Sequence, residues 1–194
     1  MNTVEIRNPS SGEPIGSVPR HSVDDVRAAL EAAKRAQPAW RARTAKDRGT
    51  IVRRISDLML ARADELARIL TREQGKPLAE AAGEIAYAAS FFEWFAEEAR
   101  RAYGDIVPTF AADKRVVVTK EPVGVCAAIT PWNFPSAMIA RKVAPALASG
   151  CAIVVKPAEQ TPFSALALRE IAIEAGVPPD LFAIVTGAAD DAPE

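Results

Sequence analysis

From Val123 onward the chain alternates short apolar runs with stretches of helical period, and no other feature restricts its fold as much. Val125 to Thr130, Ala152 to Lys156 and Leu181 to Thr186 read as strands, and Ser136 to Ala148 and Pro162 to Ala175 read as helices. Strands separated by helices cannot close as hairpins. They return by right-handed crossovers and pair in parallel. Gly150 and Gly176 stand where a helix C-terminus favours a left-handed residue, and Pro178 and Pro179 block continuation. The expected class is α/β, an incomplete Rossmann-like parallel sheet of three strands. No G-x-G-x-x-G follows the first strand; Pro131, Trp132, Asn133 and Phe134 stand there instead.

Three amphipathic helices precede this unit. After a turn-rich lead, NPSSGEPIGSVP, Ser22 reads as an N-cap with Asp25 three residues on, and Val26, Ala29, Leu30 and Ala33 follow at helical spacing. A second helix from about Ala45 carries Ile51, Val52, Ile55, Leu58 and Met59 on one face. It continues or breaks into Ala63 to Thr71 and stops at Gly75, with Pro77 beyond. The third spans Leu78 to Tyr103 and ends at Gly104. Between Ile106 and Glu121 the period changes, and Ile106 to Phe110 with Arg115 to Glu121 predict a hairpin around Ala111 to Lys114. The chain therefore divides into a helical part at 1–104, a hairpin at 105–122 and a βαβαβ part at 123–194.

Composition narrows the partners. A chain of 194 residues, 49% hydrophobic and 25% charged, can bury a sizeable core. Its 24 Lys and Arg against 25 Asp and Glu leave a net charge of −1, so no field points to nucleic acid or a membrane surface. No uninterrupted apolar run approaches the ~20 residues that span a bilayer, and MNTVEIRNPSSG lacks the basic and apolar regions of a signal peptide. The expected location is cytoplasmic. Cys126 and Cys151 are the only cysteines and His21 the only histidine, too few for a structural metal site or a disulfide framework. Cys126 lies inside the first strand and Cys151 opens the second, so both read as buried structural thiols.

The chemistry sits at the strand ends. TPWNFP occupies Thr130 to Pro135, and KPAEQTP begins at Lys156, 23 residues after Asn133. Together they bring a carboxamide, an ammonium and a carboxylate to the carboxyl ends of two strands, where open α/β sheets bind ligands. Taken alone, Asn133 reads as a helix cap and Lys156 with Glu159 as an exposed ion pair. Arg141, on the helix after Asn133, lies about 200° from Ile139 and from Val143 and so off the apolar stripe of Ile139, Val143 and Leu147. Taken alone, it is equally an ordinary solvated arginine.

From about Asn8 to Gly187 these motifs resemble the aldehyde dehydrogenase superfamily, and SAMIARKVAPALASG after Pro135 is similar to its succinate-semialdehyde branch. The resemblance implies oxidation of an aldehyde, succinate semialdehyde by that branch, to its acid. It implies that Asn133 stabilises the oxyanion of the tetrahedral adduct, and that the cofactor lies along Ile129, Thr130, Pro131, Trp132 and Asn133 and along Lys156, Pro157, Ala158 and Glu159. Lys156 and Glu159 hold the adenosine ribose. A 2′-phosphate would meet Glu159 as a like charge, so NAD is expected over NADP. Arg141 is expected to pair with the distal carboxylate of the semialdehyde. The hairpin is expected to pair with a neighbouring subunit in a homo-oligomer; its alternative is packing on its own domain. The family's nucleophilic cysteine, general-base glutamate and pyrophosphate-covering loop fall beyond Glu194, so the 194-residue chain alone is expected to oxidise no aldehyde. A non-catalytic nucleotide-binding or hetero-oligomerising fragment, or a gene fragment without function, remain the alternatives.

Overall fold

The computed structural model describes residues 3–187. The lead that sequence patterning assigned to turns is an antiparallel hairpin, β1 (Thr3–Arg7) with β2 (Pro14–Pro19). Only Ile6 and Val18 are buried in it, so the alternation is too sparse to signal strands. Gly16 is needed where it stands, since a Cβ there would come within 2.8 Å of the Phe163 ring.

Helix α1 (Val23–Arg41) starts as expected, with a reciprocal capping box between Ser22 and Asp25. Helix α2 (Ala45–Ala61) breaks at Arg62 before α3 (Ala63–Gln74), which ends on left-handed Gly75. Helix α4 (Leu78–Glu98) passes into a 3-10 turn at Ala99–Arg101 and stops short of the predicted Tyr103. Ala99 is the last residue of this stretch to reach the core; Arg100 to Gly104 are exposed, so no burial extends the α-helix beyond it. Gly104 is therefore not a helix terminator. It opens the next hairpin, where a Cβ would lie 1.7 Å from the Val118 carbonyl oxygen.

That hairpin, β3 (Asp105–Val107) with β4 (Val116–Val118), is shorter than the apolar pattern suggested. Ile106 is 80% exposed, Val117 65% and Phe110 92%, so it projects into solvent and does not pack on its own domain.

The parallel sheet is as expected. Strands β5 (Val125–Ile129), β6 (Ala152–Lys156) and β7 (Phe182–Ile184) lie in that order, joined by α5 (Pro135–Ser149) and α6 (Pro162–Ala175). Val125 pairs with Ala152 and Ile129 with Lys156, which places the two strand ends side by side. Central β6 buries its first four residues, as a strand covered on both faces must. One face packs on α5 and α6, which in turn rest on α2, α3 and α4; α1 also packs on the sheet. Ala127, Ile129, Val154 and Lys156 share a cavity with Val26 and Leu30 of α1, and Ile129 remains 74% exposed there.

Candidate cofactor and active site

Helix α5 carries Arg141 and begins two residues after Asn133, and its ends explain how both are placed. Its N-cap position is Phe134, which has no side-chain acceptor, and its first residue is Pro135, which has no N–H. The amides of Ser136 and Ala137 are thus orphan donors in a buried setting. Both are taken by one oxygen of Glu84, a residue of α4, at 2.9 and 3.2 Å. Lys76 completes the arrangement: its Nζ lies 2.6 Å from the other Glu84 oxygen and 3.1 Å from the Asn133 carbonyl oxygen, and 3.9 Å from the Phe134 ring centre. The opposite end of α5 is held by α1 and α2. Trp40 Nε1 donates to the Leu147 carbonyl at 2.9 Å, and Arg48 Nε donates to that of Ala148 at 3.1 Å.

Helix α6 repeats the device. Pro162 is its first residue, the Thr161 hydroxyl is buried without a partner, and the amides of Phe163 and Ser164 donate to the two oxygens of Glu73 at 2.7 and 2.8 Å. Sequence reasoning missed both Glu73 and Glu84. The available signal was an acid on the buried face of α3 or α4, together with a helix that opens on proline without a usable cap. Burial pushes the Glu73 carboxyl up to about 7, against the opposing pull of the Ser164 and Phe163 hydrogen bonds.

This has a measurable consequence. The folded state holds the Glu73 proton more tightly than the unfolded chain, whose carboxyl titrates near 4.5, so the stability this group contributes is fully present below 4.5 and is lost as pH rises to about 7. The stability of the protein minus that of Glu73→Gln should fall over this window by up to about 3 kcal/mol. Denaturant unfolding at several pH values measures it; a difference independent of pH would contradict the assignment.

The helix-cap reading of Asn133 does not survive. Phe134 is the cap residue, Glu84 supplies the cap, and the exposed Asn133 carboxamide makes no hydrogen bond among the described residues. Arg141 projects from the exposed side of α5, while Ile139, Val143 and Leu147 are fully buried, and the helix runs unbroken through Pro145. Its guanidinium lies 5.6 Å from the Phe91 ring centre, and Phe91 meets Tyr87 at 4.8 Å. Among the described residues no carboxylate pairs with Arg141.

At the sheet's carboxyl end, the Thr130 amide donates to the Lys156 carbonyl at 3.1 Å, extending the ladder beyond Ile129. Ile129 and Lys156, with His21, Thr186 and Gly187, line an apolar cavity of about 240 Å³. Pro157, Ala158 and Glu159 line a smaller recess that shares Thr186 and Gly187 with it. Lys156 and Glu159 form no ion pair with each other among the described residues, and the Glu159 carboxylate accepts only a long bond from the neighbouring Gln160 Nε2 at 3.4 Å, which leaves its other oxygen open to a ligand. Pro131, Trp132, Asn133 and Arg141 line neither recess and lie exposed at the start of α5 and along it.

These features fit part of a dinucleotide. A cavity below the ~300 Å³ of usual ligand sites suits one end of such a molecule and not the whole. Apolar walls beside the Lys156 ammonium, with the Glu159 carboxylate in the adjoining recess, suit a nucleoside with its ribose hydroxyls. The phosphates have no place on α5 or α6, whose N-termini are closed by Glu84 and Glu73.

Neither thiol looks reactive. Cys151 is buried, and burial together with the nearby Cys151 pushes the Cys126 thiol up. Among the described residues no cluster of His, Cys, Asp and Glu could hold a metal ion, and no helix is long and apolar enough to cross a membrane.

Comparison with known proteins agrees with the geometry. The chain matches the Aldehyde dehydrogenase family over residues 1–194. It is 62% identical over 186 residues to succinate-semialdehyde dehydrogenase [NADP(+)] GabD of Escherichia coli (strain K12), covering 96% of this chain and 39% of that protein. It is 61% identical over 189 residues to the glutarate-semialdehyde dehydrogenase of Pseudomonas aeruginosa, covering 97% and 39%. The crystal structure of succinate-semialdehyde dehydrogenase from Burkholderia pseudomallei superposes with a TM-score of 0.96 at 60% identity, over 98% of this chain and 39% of that one. The chain thus spans about two fifths of the length of these relatives. A parallel sheet whose carboxyl end carries TPWNFP and KPAE, in a chain that the family matches over residues 1–194, places the chain in the aldehyde dehydrogenase family.

Proposed function

We propose that the polypeptide carrying this segment oxidises succinate semialdehyde to succinate with NAD as electron acceptor. The observation that carries the proposal is the placement, just before and on a helix fixed at both ends, of an Asn133 carboxamide and an Arg141 cation that among the described residues have no hydrogen-bond partner and no carboxylate partner, respectively. Names of the relatives support the substrate class, since they act on succinate and glutarate semialdehydes.

The residues divide the work. Asn133 donates an N–H to the carbonyl oxygen as negative charge develops on it. Arg141 binds the far carboxylate and orients the chain of the aldehyde. Lys156 donates to a ribose hydroxyl, Glu159 accepts from the ribose hydroxyls, and Ile129, Pro157 and Ala158 shape the apolar walls around them. Thr130, Pro131 and Trp132 carry the chain from this pocket to Asn133. When bound, the cofactor would supply the hydride acceptor for the carbon to which a nucleophile has added, with water supplying the second oxygen of the acid. The exposed valines and Ile106 of the hairpin support assembly with further copies, which would remove an apolar surface from water.

The test uses this chain joined to the C-terminal part of its Escherichia coli relative, about three fifths of that protein. Succinate-semialdehyde-dependent NADH formation is expected, and none would overturn the proposal. The cofactor preference has its own test, pointed by that relative's use of NADP(+). Glu159→Ser removes the like charge that opposes a 2′-phosphate, so it should lower kcat/KM with NAD and raise it with NADP, narrowing the ratio by roughly 10-fold or more. An unchanged ratio would show that Glu159 does not touch the ribose.

A further inference from the structure

We infer that Lys76 and Glu84 are positioning residues for the oxyanion donor, a buried clamp that fixes where the Asn133 carboxamide points. The inference rests on the proposed function. Its basis is where the hydrogen bonds go. The side chains of Glu84 and Lys76 are 1% and 9% exposed, and their bonds, apart from the one between them, end on residues 133–137. Among the described residues the Asn133 carboxamide has no hydrogen-bond partner, so the fold directs it only through the Asn133 backbone, which sets where the Cα–Cβ bond points. Lys76 fixes that backbone at the Asn133 carbonyl, and Glu84 fixes the chain again at Ser136 and Ala137.

Stability alone does not explain the ion pair. Removing two charges from water costs roughly what their attraction returns, and apolar replacements of such pairs are often neutral or better. Glu73 shows that the capping geometry does not require a cation: it holds the N-terminus of α6 in the same manner with no Lys or Arg partner among the described residues, at the cost of a carboxyl that burial pushes up to about 7. The cation is present at the helix that starts beside Asn133. There Lys76 lies in contact with both Glu84 and the Asn133 carbonyl.

The test is a double-mutant cycle on kcat in the joined enzyme, with Lys76→Met and Asn133→Ala. Lys76→Met should lower kcat about 10-fold while leaving the KM for NAD unchanged, and Lys76→Arg should recover most of the loss. In the Asn133→Ala background Lys76→Met should change kcat less than about 2-fold, because the group it positions is gone. Equal losses in both backgrounds, or no loss in either, would overturn the inference. If Asn133→Ala itself has no effect, the assignment of Asn133 fails instead. Amide hydrogen exchange of the 194-residue chain then decides whether the clamp exists. Ser136 and Ala137 should exchange at least about 10-fold faster in Lys76→Met, with the amides of β6 unchanged as the control for folding. Unchanged protection at both would overturn it.

Discussion

Asn133→Ala is expected to lower kcat for succinate semialdehyde about 100- to 1000-fold in the joined enzyme, the loss associated with removing one preorganised donor from an oxyanion site. The KM for the semialdehyde should change little, since the donor meets full charge only in the transition state. Stability should be nearly unaffected. The carboxamide is exposed and bonds to nothing among the described residues, and α5 is capped by Glu84 without it. This separates the prediction from one for a helix cap, whose removal would cost about 1 kcal/mol of stability and leave chemistry intact. Steady-state kinetics with a parallel thermal melt checks both, and a normal kcat with a lowered melting temperature would return Asn133 to a structural role.

Arg141→Ala is expected to remove one charge-assisted interaction, about 1.5–3 kcal/mol, or roughly 10- to 150-fold in kcat/KM. The loss should appear with succinate and glutarate semialdehydes and be nearly absent with an uncharged aldehyde of similar length. An arginine that only braced α5 would affect all substrates alike. Its position argues against that, because it lies off the buried stripe and rests on Phe91 without a carboxylate partner among the described residues. Equal losses on charged and uncharged substrates would make Arg141 structural.

How much of this was legible in the sequence depended on whether a feature was local. The parallel sheet and both of its helices could be read because β6 is a continuous apolar run and Gly150 and Gly176 end α5 and α6 in left-handed conformations. The Ser22 and Asp25 capping box lies within four residues and was read as well. What failed was non-local. The β1 and β2 hairpin owes its burial to Ile6 and Val18, single residues whose covering comes from elsewhere in the fold. Asn133 read as a cap because its true replacement, Glu84, lies 49 residues earlier and meets α5 only after α4 packs on it. The motif strings located the candidate site but gave no account of how it is held, since Glu73, Glu84 and Lys76 act across helices.

The proposed nicotinamide-cofactor site lies at the carboxyl ends of β5 and β6. Amide hydrogen exchange of the joined enzyme with and without saturating NAD tests it most directly. The account predicts slowed exchange across residues 129–133 and 156–159, diminished in the second segment by Glu159→Ser, with little change at the N-termini of α5 and α6, which Glu84 and Glu73 already protect. Protection confined to other parts of the chain, or no protection where NAD is bound, would contradict it.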